Sequence, residues 1–580
     1  MTAPNINLFL AHLIVDYLVR RGVESLCLAP GSRSAPLAVA AGGHSGAKVR
    51  VIIDERAAGY FAVGCARATG KPAVVICTSG TAVANLYPAV VEAFHSRLPL
   101  ILLTADRPEE LQRCGANQTI DQKHMFGQFV GGEMTLPAPD DRMDLYALLD
   151  QLQALFRTRT TGPIHLNCRF REPLAPEERP FDSERLQEQV DQWYAGRNLN
   201  AADEIPPDIS VAVRSLTDRI RRAQHGVIVA GPQWPFARTL QLANLSRALG
   251  WPIIADILSQ QRNSDLSKLC RRYDLYLDIP EIADRLDIDL VIHVGGLPTS
   301  KRLNDFLLRH KGVEYIKIQV HDRTVDPDHL ETERIVADPD RFITSLMTSL
   351  QGHPVSSICH LWREIETRVD ESLASIADNP RLTEPAVAAM IGQLIGEEDA
   401  LYLSNSMPVR DADSFMALQS GNIMVGCNRG VSGIDGVLAS ACGFAAGCRR
   451  PTTLLIGDLA LLHDLNSLAL VSRSEQPVII VVLNNNGGGI FHFLPISQFE
   501  TVFEPYFGTP HNLTFDHAAE MFNLPYARPT SGDEFAAVYR KARANRQSVL
   551  IEIITDRRAN VEEHQRLRDC VRRWPTQHQG

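Results

Sequence analysis

The amino-acid sequence predicts an α/β protein of three domains, each built on a mainly parallel sheet with helices on its faces. Three observations predict it. Apolar runs of strand length alternate with segments of helical period along the chain. Most of those runs are β-branched and lack polar alternation, as parallel strands covered on both faces require. Two polar, strand-poor stretches, 172–206 and 370–384, divide the 580 residues. They set expected domains at 1–185, 186–375 and 376–580.

In chain order, residues 1–22 read as an amphipathic helix. His12 and Asp16 interrupt its apolar pattern and Arg20-Arg21 close it, which a signal peptide would not do. Strands are expected at 25–28, 49–53, 73–77 and 98–103, with a crossover helix over 82–94. The middle domain opens on a strand at 226–230 and a Gly231-Pro232 turn, followed by strands at 290–294 and 315–320. It has no G-x-G-x-x-G after that first strand, so dinucleotide binding has little support. The last domain predicts strands at 401–403, 453–456, 478–483 and 549–554, and a crossover helix over 459–471. It resembles the first in plan. Its longest uncharged apolar stretch, 436–448, is too short to span a bilayer. Gly443 and Gly447 within it suit close helix packing. The charged tail from Arg557 suits a surface helix.

Composition narrows the class. With 45% hydrophobic and 22% charged residues the chain is globular rather than disordered or coiled-coil. A net charge of −10 gives no general field for nucleic acid or anionic lipid. Eleven cysteines without a C-x-x-C pair indicate no disulfide framework or zinc ribbon. Cys77 and Cys168 end apolar runs and suit small buried hydrophobes. No H-x-x-x-H pair exists among the histidines, which excludes a zincin. A soluble cytoplasmic protein without membrane insertion is the expectation.

The chemistry concentrates late in the chain. Gly457-Asp458-Leu459 ends one strand, and Asn484-Asn485-Asn486-Gly487 ends the next. Both sites therefore lie at the carboxyl ends of strands, where open α/β sheets bind ligands. A carboxylate and an amide oxygen are hard ligands suited to Mg²⁺ or Mn²⁺. The glycines let a backbone carbonyl approach the same cation. A helix beginning at Leu459 favours phosphate there.

This pattern resembles that of the thiamine diphosphate enzymes, G-D-G followed at 25–30 residues by N-N, with Leu459 replacing the last glycine. The resemblance implies three Rossmann-like domains: pyrimidine-binding, central and diphosphate-binding. It implies that Asp458, Asn485 and the Gly487 carbonyl hold the metal on the cofactor diphosphate, with Gly457 and Leu459 alongside. It also implies an acid after an early strand, which Glu55 in Ile53-Asp54-Glu55-Arg56 supplies. A carboxyl sharing a proton with the pyrimidine N1′ promotes the imino tautomer that deprotonates the thiazolium, and apolar surroundings raise its pKa usefully. In the family two copies share their active sites, so a homodimer, or a dimer of dimers, is implied.

Five further segments resemble the menaquinone-pathway branch of that family: 29–34, 78–81, 106–108 with 117–122, 428–436 and 484–491. That branch decarboxylates 2-oxoglutarate and adds the resulting succinic semialdehyde carbanion to isochorismate. Three carboxylates would then need holding, and arginine forks suit carboxylates. The resemblance offers Arg33, Arg107, Arg302, Arg410 and Arg429, with Lys301, as cations. Ser32, Asn117, Gln118 and Ser406 offer neutral hydrogen bonds. Arg33, Arg107, Asn117 and Gln118 form the expected catalytic set beside Glu55. Thr81, Ile434 and Ile490 are expected against the cofactor, with Ile434 between its rings. Phe491 and Leu494 are expected to wall the substrate from water. No flavin is expected in the central domain. Two alternatives stand beside this reading. One is another thiamine diphosphate-dependent decarboxylase or acetohydroxyacid synthase. The other is a non-catalytic relative, which would lack Glu55, Asp458 or Asn485.

Overall fold

A computed structural model describes residues 3–157, 162–199, 208–233, 240–262, 269–374, 376, 381–419 and 421–573. Residues 200–206, 375 and 377–380 of the two polar stretches, and so one side of the expected 375/376 boundary, lie outside them.

Three six-stranded sheets are present, and every strand pair in them is parallel. The first comprises β1 (Ser25–Leu28), β2 (Lys48–Val51), β3 (Ala73–Cys77), β4 (Leu100–Asp106), β5 (Gly132–Leu136) and β6 (Ile164–Arg169). Their order is β2-β1-β3-β4-β6-β5. The second comprises β7 (Gly226–Ala230), β8 (Ile253–Ala255), β9 (Leu269–Cys270), β10 (Leu290–Val294), β11 (Glu314–Gln319) and β12 (Glu333–Val336). Its order, β12-β11-β10-β7-β8-β9, is the doubly wound nucleotide-binding order. The third comprises β13 (Ala400–Leu403), β14 (Met424–Cys427), β15 (Thr452–Gly457), β16 (Val478–Asn484), β17 (Tyr526–Ala527) and β18 (Val549–Ile554). Its order, β14-β13-β15-β16-β18-β17, repeats that of the first sheet.

Seven strands escape the sequence pattern: β5, β6, β8, β9, β12, β14 and β17. Most are short or lie at edges. β6 is neither, and its polar residues disguise it. His165 and Asn167 are fully buried there, and both meet Thr104 Oγ1 of β4, at 2.8 and 3.0 Å. The expected helix over 82–94 is two pieces, Thr81–Ala84 and Tyr87–Ser96, with Pro88 in the first turn of the second. The helix expected over 459–471 is likewise broken, into Asp458–His463, a 3₁₀ turn at Leu465–Ser467 and Leu468–Val471. The first helix, Ile6–Arg20, is buried over most of its surface rather than on one face. The tail helix, Arg557–Arg572, is not simply a surface element: Asn560, Leu567 and Val571 are buried, and Arg568 pairs with Asp278.

Two compact units divide the chain. One holds Met1–Glu204, Asn428–Arg449 and His463–Gln476; the other holds Ile205–Cys427, Arg450–Leu462 and Pro477–Gly580. In the first, the helix Glu55–Thr69 packs on the helix Val437–Cys448 with almost no gap. A Cβ on Gly443 would lie 1.9 Å from the Phe61 carbonyl oxygen, and one on Gly64 2.0 Å from that of Ser440. The glycine pattern at 443 and 447 thus serves close packing. None of the eleven cysteines is in a disulfide, and Cys77 and Cys168 are fully buried.

Candidate active site

In the second unit, adjacent strands bring Asp458 and Asn485 to one edge of the third sheet. Asp458 is buried at the end of β15. Its Oδ1 accepts from Leu459 N at 2.7 Å and its Oδ2 from Gly487 N at 2.9 Å, with His511 Nε2 3.1 Å away. The three asparagines after β16 divide their work. Asn484 donates to Glu552 Oε1 at 2.6 Å and to Leu513 O at 2.9 Å. Asn486 Oδ1 accepts from His511 N and Asn512 N at 2.9 and 2.7 Å. Both are turn-building residues. Asn485 Nδ2 donates to Glu384 Oε1 at 2.9 Å, which fixes the amide so that Oδ1, buried, has no protein donor. Leaving a buried acceptor unsatisfied costs about 1–3 kcal/mol, unless a cation meets it. Gly487 has φ of +135°, and a Cβ there would lie 1.9 Å from Gly508 O, so only glycine fits.

The donor set suits a hard divalent cation: one carboxylate, one buried amide oxygen and a nearby backbone carbonyl. Among the described residues no group of three His, Cys, Asp or Glu could hold a metal alone. A cation at Asp458 would therefore need oxygens from its ligand as well. Glu384, missed in the sequence, sets the Asn485 amide and also accepts from Thr555 Oγ1 at 3.1 Å. Burial first, then the Asp411 carboxylate, pushes its pKa well above the usual range.

Beside this edge lies a cavity of about 490 Å³, lined among others by Lys301, Arg302, Arg410, Ile490, Leu494 and His564. Five of these were expected. Arg302 donates to Asp274 Oδ2 at 2.6 Å and meets Asp278 Oδ2 at 3.1 Å. Arg410 donates to the carbonyl of Ser406. Phe491 does not line the cavity; it packs edge-on against Phe507, with centroids 5.5 Å apart. His564 was missed. Its Nε2 lies 3.0 Å from Asp411 Oδ1, and its ring meets Phe415 and Phe493 edge-on. One signal could have found it: Val561, His564, Gln565 and Arg568 all line the cavity, at the spacing of one helix face.

In the first unit the structure brings Arg33, Arg107 and Gln118 together. Arg107 is buried; its Nη1 donates to Gln118 O at 2.7 Å and to Ser79 Oγ. Gln118 Nε2 in turn donates to Ser79 O at 3.0 Å. Arg33 donates to Phe170 O at 3.1 Å and pairs with the exposed Glu172 at 3.2 Å, while its buried Nε has no protein acceptor. Burial first, then the Arg33 charge, lowers the Arg107 pKa. Two neighbouring guanidiniums, one with an unused donor, form a cradle for an anion. Ser32 and Asn117 are exposed on the surrounding turns, and Thr81 is exposed at the start of the helix Thr81–Ala84. Glu55 starts the helix Glu55–Thr69, directly after its cap Asp54, whose Oδ1 accepts from Ala57 N at 3.0 Å. Apolar Val51 and Ile53 beside it are 55% and 77% exposed. Arg429 and Ile434 are half-buried on the turn before Val437–Cys448.

Comparison with known families fits this site. Residues 9–125 match the thiamine pyrophosphate enzyme N-terminal binding domain, 184–403 the middle domain of such enzymes, and 411–553 their C-terminal binding domain. The chain belongs to the thiamine pyrophosphate enzymes, whose cofactor the first and last of these domains bind. Full-length relatives sharpen this. The chain is 42% identical to 2-succinyl-5-enolpyruvyl-6-hydroxy-3-cyclohexene-1-carboxylate synthase of Rubrobacter xylanophilus, over 97% of this chain and 98% of that protein. It is 40% identical to the enzyme of that name from Salinibacter ruber, over 99% and 98%. The identity to the one from Chlorobium phaeobacteroides is 39%, over 99% of each. Among the described residues no helix is long and apolar enough to cross a membrane.

Proposed function

We propose that the chain is a thiamine diphosphate-dependent synthase of menaquinone biosynthesis. It joins 2-oxoglutarate, with loss of carbon dioxide, to isochorismate, giving 2-succinyl-5-enolpyruvyl-6-hydroxy-3-cyclohexene-1-carboxylate. The observation that carries this reading is the buried, unpartnered Asn485 oxygen beside Asp458, in a chain alike over its whole length to synthases of that name.

When bound, thiamine diphosphate would supply the nucleophilic carbon and the electron sink for decarboxylation. Asp458, Asn485 Oδ1 and the Gly487 carbonyl would hold Mg²⁺ or Mn²⁺ for its diphosphate, with Gly457 and Leu459 beside them. Glu55 holds a proton at the pyrimidine N1′. Thr81, Ile434 and Ile490 fix the cofactor's shape. Arg33 and Arg107, supported by Ser32, Asn117 and Gln118, bind one carboxylate-bearing end of the substrates. Lys301 and Arg410 bind another, while Arg302 holds the cavity wall through Asp274 and Asp278. Arg429 and Ser406 complete the polar lining, and Leu494 and Phe491 exclude water. The domains run over 1–185, 186–375 and 376–580, the middle one without flavin, and the protein works in the cytoplasm.

The exposed Val51 and Ile53 beside Glu55 support a second copy covering that edge, as a homodimer or a dimer of dimers. Mixing Glu55→Gln with Asp458→Ala chains tests shared sites: activity regained from two inactive variants supports them, and none counts against them.

Carbon dioxide release from 2-oxoglutarate, with thiamine diphosphate and Mg²⁺, is the test of the reaction. Release that rises with isochorismate supports it. Release from pyruvate alone favours a decarboxylase or acetohydroxyacid synthase and overturns it.

A further inference from the structure

The turn that carries Ile434 is held on both sides by helices of the first domain. On one side stands Glu92 of the helix Tyr87–Ser96, 1% exposed. Its Oε1 accepts from Gly430 N and its Oε2 from Val431 N, both at 3.0 Å. Arg67, fully buried, donates to the same carboxylate at 2.8 Å, and Ser96 Oγ at 2.7 Å. A buried pair of this kind adds little net stability, so what it orients is its more informative property. Here the carboxylate grips two consecutive backbone N–H groups of the turn.

On the other side stands Tyr60 of Glu55–Thr69. Its hydroxyl donates to Asp435 Oδ2 at 2.6 Å. Burial first, then Asp435, raises its pKa, so it stays protonated as that donor. Its ring fills the space over Gly436, where φ is +62° and a Cβ would lie 1.9 Å from the ring. Its carbonyl accepts from Ser440 Oγ at 3.1 Å, and Asn428 Nδ2 donates to that hydroxyl at 3.0 Å. Positions 428, 430, 431, 435 and 436 are thus fixed, and Ile434 lies inside the bracket.

We propose that Tyr60 and Glu92 are positioning residues for the reaction: they set the 428–436 turn so that Ile434 meets the cofactor. This rests on the functional reading above, in which Ile434 supports bound thiamine diphosphate. One helix then serves twice, carrying Glu55 in its first turn and Tyr60 in its second.

The test is a double-mutant cycle on the full chain, read by calorimetric titration with thiamine diphosphate and Mg²⁺ and by steady-state kinetics. Tyr60→Phe keeps the ring over Gly436 and removes one hydrogen bond to a carboxylate. It should weaken cofactor binding and lower kcat roughly tenfold each, with KM for both substrates unchanged. In an Ile434→Ala background the same substitution should cost less than about twofold, because its route of action is gone. Equal losses in both backgrounds, or wild-type affinity and turnover in Tyr60→Phe, overturn the proposal. Glu92→Gln serves as the second arm if it folds, with the same pattern expected. A wild-type chain that binds no thiamine diphosphate removes the functional reading and this inference together. Wild-type binding with an unaltered Tyr60→Phe removes the inference alone.

Discussion

The first and third sheets share one strand order, β2-β1-β3-β4-β6-β5 and β14-β13-β15-β16-β18-β17, yet their carboxyl edges carry opposite chemistry. After β3 and β4 come Ser79 and Arg107; Arg107 donates to the Ser79 hydroxyl and stands with Arg33 at an anion cradle. After the matching β15 and β16 come Asp458 and Asn485, oxygen acceptors suited to a cation. After β2 comes Glu55; after its counterpart β14 comes the turn bearing Ile434. Topology decides where a ligand can lie, and the few residues just beyond each strand decide the sign of what is held there.

The comparison can be broken at its strongest point first. Glu55→Gln should lower kcat on the order of 10²–10⁴-fold, the range for a general acid–base group, while the thiamine diphosphate affinity stays near wild type. Near-normal turnover would take the first sheet's edge out of the chemistry. Asp458→Ala should then remove the Mg²⁺ dependence of cofactor binding, weakening it roughly 100-fold or more. An unchanged titration with metal would remove the cation site from the third sheet. Glu384→Ala frees the Asn485 amide to rotate. A residue that orients a metal ligand typically contributes about 10–100-fold to affinity, and calorimetry with Mg²⁺ reads the loss directly; equal affinity would mean Asn485 is held by other contacts.

The smallest expected effect is on stability. Asp464 lies in the first unit, buried, accepting from Ala439 N at 2.9 Å and Ser467 Oγ at 2.8 Å. Burial pushes its pKa up to about 6. Because the folded pKa lies above the unfolded one, folding favours the protonated acid. That contribution is complete below about pH 4 and disappears as pH rises to about 6. Wild type should therefore lose about 1–2 kcal/mol relative to Asp464→Asn between pH 4.5 and 6, measured by urea unfolding at each pH. Parallel curves for the two proteins would show that Asp464 is ionised throughout.

Much of this was legible in the sequence because it is local. The Asp458 and Asn485 pair is written in two short motifs at the ends of adjacent strands, and the runs from β3, β7, β10 and β18 were recognisable from their branched apolar residues alone. What stayed hidden depends on contacts far along the chain. Glu384 meets Asn485 from 101 residues away. β6 is a buried strand whose His165 and Asn167 read as polar until Thr104 is seen opposite them. The crossover helices looked continuous because apolar period does not register where a proline or a 3₁₀ turn restarts the helix. Phe491, adjacent to the site motif, packs edge-on against Phe507, a contact that no local pattern in the sequence announces.

Gly64, Gly436 and Gly443 touch no ligand in any reading of this protein. Yet a single methyl at any of them would overlap a carbonyl or an aromatic ring at about 2 Å. The contact between Glu55–Thr69 and Val437–Cys448 therefore leaves inherited variation no room at these positions. Alanine, harmless over most of a helix, would be read here as loss of function, and a survey of random variants would place three residues of the scaffold among those of the active site.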